Sequence, residues 1–153
     1  MQMIVYLTLP ALLAGCEPDL PEGWEDAVAV DDFTQEECDG SPMDTGWEST
    51  VSATAVDPGI RVVGDNLPFR CEQEVEGFYR AEFLDSDPMK HEVAILVQPV
   101  DMDPRSVAMC DCLYRVEASV PEAPPAKVYL YRRWDNINDP NDPVLVGSIE
   151  VAR

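Results

Sequence analysis

Five Asp-Pro pairs constrain the fold of this chain more than any other feature: Asp57-Pro58, Asp87-Pro88, Asp103-Pro104, Asp139-Pro140 and Asp142-Pro143. Proline supplies no ladder donor and keeps the residue before it out of the helical region, while aspartate satisfies nearby backbone donors. Each pair therefore closes one element and opens the next. Pro121, Pro124 and Pro125 interrupt the chain in the same way. The segments left between these breaks are short, and after residue 60 none carries a convincing helical period.

What these segments carry instead is alternation with period two. In 74–83, Val75, Gly77, Tyr79, Ala81 and Phe83 share one face, and Glu74, Glu76, Arg80 and Glu82 take the other. Residues 91–98 are apolar on both faces, which predicts a central strand. Along 108–120, Ala108, Cys110, Cys112, Tyr114, Val116, Ala118 and Val120 line one side. Two more strands are expected at about 126–134 and 144–151, with weaker candidates at 49–56 and 59–63. Six or seven short strands at this spacing predict an all-β domain, an antiparallel β-sandwich of immunoglobulin-like or Greek-key type.

Charge is unevenly spread. The chain holds 30 acidic and 10 basic residues, and thirteen of the acids fall between Glu17 and Asp57, ahead of the first basic residue, Arg61. Low hydrophobicity with one sign of charge predicts disorder, so 16–46 is expected to be an acidic tether and 47–153 the folded body. A coil of about 30 residues reaches roughly 30 Å, and self-repulsion extends it. Trp24 and Trp47 stand out within this segment, Trp24 as a short docking element and Trp47 as an edge of the folded part. A net charge of −20 argues against nucleic acid, whose phosphates need a concentrated basic stripe.

At the N-terminus, Met3 to Leu13 form an apolar run too short to span a bilayer, and Leu13-Ala14-Gly15-Cys16 close it. This motif resembles the lipobox of bacterial lipoproteins. The resemblance covers the first sixteen residues, although Met1, Gln2 and Met3 lack the usual basic charge. It implies a signal peptide at 1–15, acylation of Cys16 (palmitate or a similar chain) and a membrane anchor through that lipid. Two or three acyl chains give stable anchoring where one does not. Glu17 is not the Asp that favours inner-membrane retention in enteric lipoproteins, so outer-membrane sorting is the expectation.

With Cys16 lipidated, Cys38, Cys71, Cys110 and Cys112 remain, an even number in an exported chain, which predicts two disulfides. Cys110 and Cys112 lie two apart on one strand face and are poorly placed to pair with each other. Cys71 is expected to join one of them and Cys38 the other. Asp111 between them disfavours a thiolate and hence redox chemistry, and the spacing does not suit a zinc site.

Candidate chemistry is sparse. His91 is the sole histidine and no Gly-x-Ser-x-Gly elbow occurs, so no catalytic residue is assigned and the chain is not read as an enzyme. The loop 135–142 offers hard oxygen donors, and Asp135, Asn138, Asp139 and Asp142 are the candidate calcium ligands. Otherwise no cofactor is expected. Arg132 and Arg133 beside Trp134, with Tyr129 and Tyr131, form the one basic and aromatic cluster, split over two strand faces. These features predict a lipid-anchored envelope protein whose sandwich binds a protein or polysaccharide partner without catalysis. The alternatives are a calcium-dependent binding module and a small envelope hydrolase.

Overall fold

Alternation becomes nine strands in the computed structural model, which describes residues 18–42, 46–84, 87–103, 110–121, 125, 127–134 and 142–151. In chain order they are β1 (Val28–Ala29), β2 (Asp32–Gln35), β3 (Thr50–Ala55), β4 (Ile60–Arg70), β5 (Val75–Leu84), β6 (Asp87–Pro99), β7 (Asp111–Val120), β8 (Lys127–Arg132) and β9 (Val144–Glu150). The described residues contain no helix, and hence none long and apolar enough to cross a membrane.

One sheet has the order β1-β5-β6-β8-β9 and the other β2-β7-β4-β3. They pack face to face as a β-sandwich, as the alternation predicts. β7 returns beside β4 after the β5–β6 hairpin, a Greek-key connection. The pairing departs from a purely antiparallel sandwich at one place: β6 and β8 run parallel, with Val93 opposite Val128 and Val97 opposite Arg132. A parallel neighbour needs a crossover, and β7 in the facing sheet provides it.

Inward residues of both sheets form the core. Ile60, Leu67 and Phe69 of β4 meet Val93, Ile95 and Val97 of β6, Val116 and Ala118 of β7, and Val128 and Leu130 of β8, all buried. β4 runs well past the short strand expected at 59–63. It does so through a register shift between Gly64 and Leu67, where Asn66 takes a left-handed φ of 56°. That bulge is tied down by the Asn66 side chain, which donates to Glu48 O at 3.1 Å, and by Ser49 Oγ, which donates to Asn66 O at 2.8 Å.

The expected acidic tether at 16–46 is corrected by the fold. Residues 18–42 lie on the sandwich: β1 pairs with β5, β2 pairs with β7, and Trp24 is only 4% exposed. The folded body therefore begins by Pro18 instead of 47. Composition concealed this because Leu20, Trp24, Ala27, Val30 and Phe33 are sparse apolar anchors among the acids, spaced so that they face the protein while the acids face water. Trp24 is buried with Phe78, Ala94 and Leu96, and Leu20, Ala27 and Tyr131 pack around them. This second apolar cluster covers the outer face of β6, which explains why that strand is apolar on both faces. One close approach helps: Phe33 lies against Gly77, where a Cβ would overlap its ring.

Candidate functional site

Register places several unusual groups at one end of the sandwich. Val75 pairs with Pro99, Arg132 with Val144, and Arg133 N donates to Val97 O at 2.9 Å, so the β4–β5 turn, Val100, Trp134 and the start of β9 share that end. Both disulfides lie there. Cys71 bonds to Cys110 and Cys38 to Cys112, with Cα separations of 5.5 and 5.8 Å. Each member of the 110/112 pair thus reaches a different partner, and the structure makes the choice that spacing left open. Gln73 closes the adjoining turn: its Oε1 accepts from Arg70 N at 3.1 Å, and Gln35 bridges to Gln73 O and Val75 N at 2.8 and 3.0 Å.

Arg132 continues the inward face of β8 and donates to Pro68 O of the opposite sheet at 2.8 Å. Its guanidinium lies 4.5 Å from the Trp134 ring centre, and Arg70 lies 5.7 Å from the same ring. Arg70 also pairs with Asp111 at 2.8 Å. The basic and aromatic cluster therefore divides as the alternation predicts. Arg132 and Trp134 sit together, while Arg133 is buried on the other face, where it contacts Gln98 Oε1 at 3.3 Å and Asp19. A shallow groove of about 360 Å³ opens beside Arg132, lined by Trp47, Pro68, Val144, Leu145 and Val146. Trp47 is held there by its indole N–H, which donates to Pro42 O at 2.7 Å.

A larger groove of about 700 Å³ begins where the chain enters at Pro18 and runs past Asp19, Phe78, Val100, Met102 and Asp103. Glu76 borders it and accepts from Gln98 Nε2 at 3.1 Å. Burial raises the Glu76 carboxyl above its ordinary value; the Gln98 hydrogen bond opposes this and Glu74 adds to it. The segment that docks Trp24 is fastened on both sides. Arg80 stacks on the Trp24 ring at 4.6 Å and donates to Gly23 O, and Tyr131 meets the indole edge-on at 5.5 Å. Glu25, a receptor for the Gly23 N–H, titrates below its ordinary value because backbone N–H groups stabilise its charge.

The opposite flank offers an open edge. β5 pairs with β1 only at Phe78 and Tyr79, so from Arg80 to Leu84 no strand among the described residues lies on that side. Beside this edge a cleft of about 210 Å³ is lined by Val28, Ala29, Pro58, Tyr79, Val120 and Pro121, with Asp31 and Asp32 at its margin. Val28 is 54% exposed. A strand edge with no neighbouring strand among the described residues, next to an apolar cleft, can accept an extended segment through main-chain hydrogen bonds. Sequence reasoning missed it because β1 is two residues long, below what alternation can register.

Of the residues singled out by sequence, Cys16, Asp135, Asn138 and Asp139 lie outside the described residues. Asp142 is exposed just before β9. Among the described residues no group of three or more His, Cys, Asp or Glu is arranged to hold a metal ion. His91 stands on β6 opposite Phe83. The four thiols of the body are committed to disulfides and so supply no nucleophile.

Compared with protein families, curated proteins and solved structures, the chain gives no significant match to any of them.

Proposed function

We propose that this chain is a lipid-anchored envelope protein whose β-sandwich binds a partner without catalysing a reaction. The observation that carries the reading is the open edge of β5 beside the Val28–Pro121 cleft, in a body whose thiols are all bound in disulfides. The disulfides favour an oxidising compartment, and the lipobox-like Leu13 to Cys16 supplies the anchor. Strand addition at the edge gives affinity through the backbone, and the cleft gives side-chain selectivity, which suits an extended segment of another envelope protein. A polysaccharide is the second occupant of the same class of surface.

The test is photo-cross-linking in intact cells. A photoreactive residue at Ala81 or Val28 is expected to yield one reproducible adduct, and the same residue at Arg61 on the facing sheet is expected to yield none. The reading fails if neither edge position gives an adduct and glycan arrays stay blank. Acylation is tested separately by mass: Cys16→Ser is expected to remove the lipid and release the chain from the membrane fraction.

A further inference from the structure

We infer that the disulfide-bearing end of the sandwich rests directly on the bilayer surface, with Val100, Val144 and Leu145 in the lipid interface. The inference rests on the acylation of Cys16 and adds the orientation of the body. Asp19 O already accepts from the Gln98 and Arg133 side chains, so Glu17 and Pro18 alone separate the docked chain from Cys16, and three residue steps span at most about 11 Å. A tether of 16–46 would have held the body roughly 30 Å away. The docked segment from Pro18 to Ala27 replaces it with a short leash.

The end at which this leash emerges is the end suited to lipid. Pro18 lines the same groove as Val100 and Met102. Val100, Val144 and Leu145 are 52%, 56% and 49% exposed and all stand at this end; among the described residues the one other exposed large hydrophobic is Val28, at the open edge. Trp47 and Arg132 line the same groove as Val144 and Leu145, and an indole with a long cationic side chain is the pairing that settles at a membrane–water interface; the Trp134 ring beneath Arg132 keeps its own N–H buried. Asp19, Glu48, Asp101 and Asp103 share this end, and Arg70 and Arg133 already face Asp111 and Asp19. The contact is therefore apolar and interfacial, and it favours zwitterionic over anionic headgroups. It also turns the open edge of β5 toward a partner instead of toward the lipid.

The test uses the full-length chain processed in a lipoprotein-forming bacterium, weighed for acyl groups, and reconstituted into vesicles of phosphatidylcholine and phosphatidylethanolamine. A fluorescent amino acid replaces Val100, Val144 or Glu150, one at a time, and brominated lipid serves as quencher. Quenching is expected at 100 and 144 and not at 150, which lies at the far end of β9. Inserting a Gly-Ser spacer of about 20 residues before Pro18, which reaches roughly 25 Å, is expected to abolish quenching without changing acylation or thermal midpoint. Absence of quenching at 100 and 144 in acylated protein overturns the orientation and leaves the anchor standing; equal quenching at 150 does the same. Missing acyl mass overturns both. A spectral change at 144 that follows protein concentration without lipid assigns the patch to a second copy and overturns the inference.

Discussion

Trp24→Ala tests whether residues 18–27 belong to the fold. An indole removes about 150–250 Å² from water on burial, and at about 25 cal/mol per Å² a mid-range 200 Å² corresponds to about 5 kcal/mol. Measuring against a compact unfolded chain trims this by about 10–40%, to roughly 3–4.5 kcal/mol. Loss of the Arg80 stacking adds about 0.5–1 kcal/mol. A total loss of about 3.5–5.5 kcal/mol is expected, close to the range of about 3–5 kcal/mol usual for truncating a buried Trp. That is a large share of the 5–15 kcal/mol available to a domain.

The segment is also able to release while the sandwich stays folded. In that case the global midpoint falls by no more than the segment's own docking free energy, and hydrogen exchange reveals the difference. The amides to follow are Ala27, bonded to Trp24 O at 3.0 Å, and Val30, bonded to Gly77 O at 2.9 Å. Both are expected to be protected in the native protein and to lose protection in the variant. Docking of the segment is ruled out if Trp24→Ala leaves the urea midpoint unchanged and both amides already exchange at unprotected rates in the native chain. The segment would then be the tether that composition suggests.

Further outcomes are expected. Gly77→Ala places a methyl group against Phe33 and is expected to destabilise by about 1–3 kcal/mol, with Phe33→Leu recovering part of the loss in a double-mutant cycle. Removing the Cys38–Cys112 link, which spans 74 residues, as a double Ala variant is expected to cost about 4.5 kcal/mol by loop entropy, read from the denaturant midpoint. Peptide mapping without reductant is expected to recover the 38–112 and 71–110 pairs and no 71–112 species. The raised carboxyl of Glu76 makes the folded state the better proton binder, so its contribution to stability is complete below its ordinary value of 4.5 and is lost as pH rises through the folded value. Glu76→Gln is accordingly expected to raise the thermal midpoint at neutral pH, with the gain vanishing below pH 4.5; an unchanged midpoint at both pH values would count against the burial argument.

Much of the architecture was legible because it rests on local rules. Alternation in β5, β7, β8 and β9 and the two-faced apolar run of β6 pointed to an all-β chain, since a period-two pattern can bury one face only as a strand. Of the Asp-Pro pairs, Asp57-Pro58 lies between β3 and β4 and Asp142-Pro143 just ahead of β9, whereas Asp87-Pro88 forms the first two residues of β6 itself. Cysteine parity and the poor geometry of Cys110 with Cys112 pointed to two links leaving the 110–112 stretch for different partners. The lipobox-like motif names Cys16 as the attachment point of the proposed anchor, a residue outside those the structure describes.

Other features depend on contacts distant in sequence, and these emerge with the assembled sheets. The parallel pairing of β6 with β8 follows from β7 crossing in the facing sheet. Docking of 18–42 depends on an apolar outer face made by Phe78, Ala94 and Leu96; the two-faced apolar run of β6 signals that something covers it, but not that the acidic segment does. A window of sequence shows the acids of that segment but not the surface waiting for Trp24. For the same reason the gathering of Val100, Val144, Leu145 and Trp134 at one end was invisible along the chain: the residues are separated by up to 45 positions and meet only through strand register. Sequence indicated which elements could form and that four thiols would pair off; the sandwich settled which thiol meets which and brought the 18–42 segment onto its surface, because burial is a property of the assembled faces.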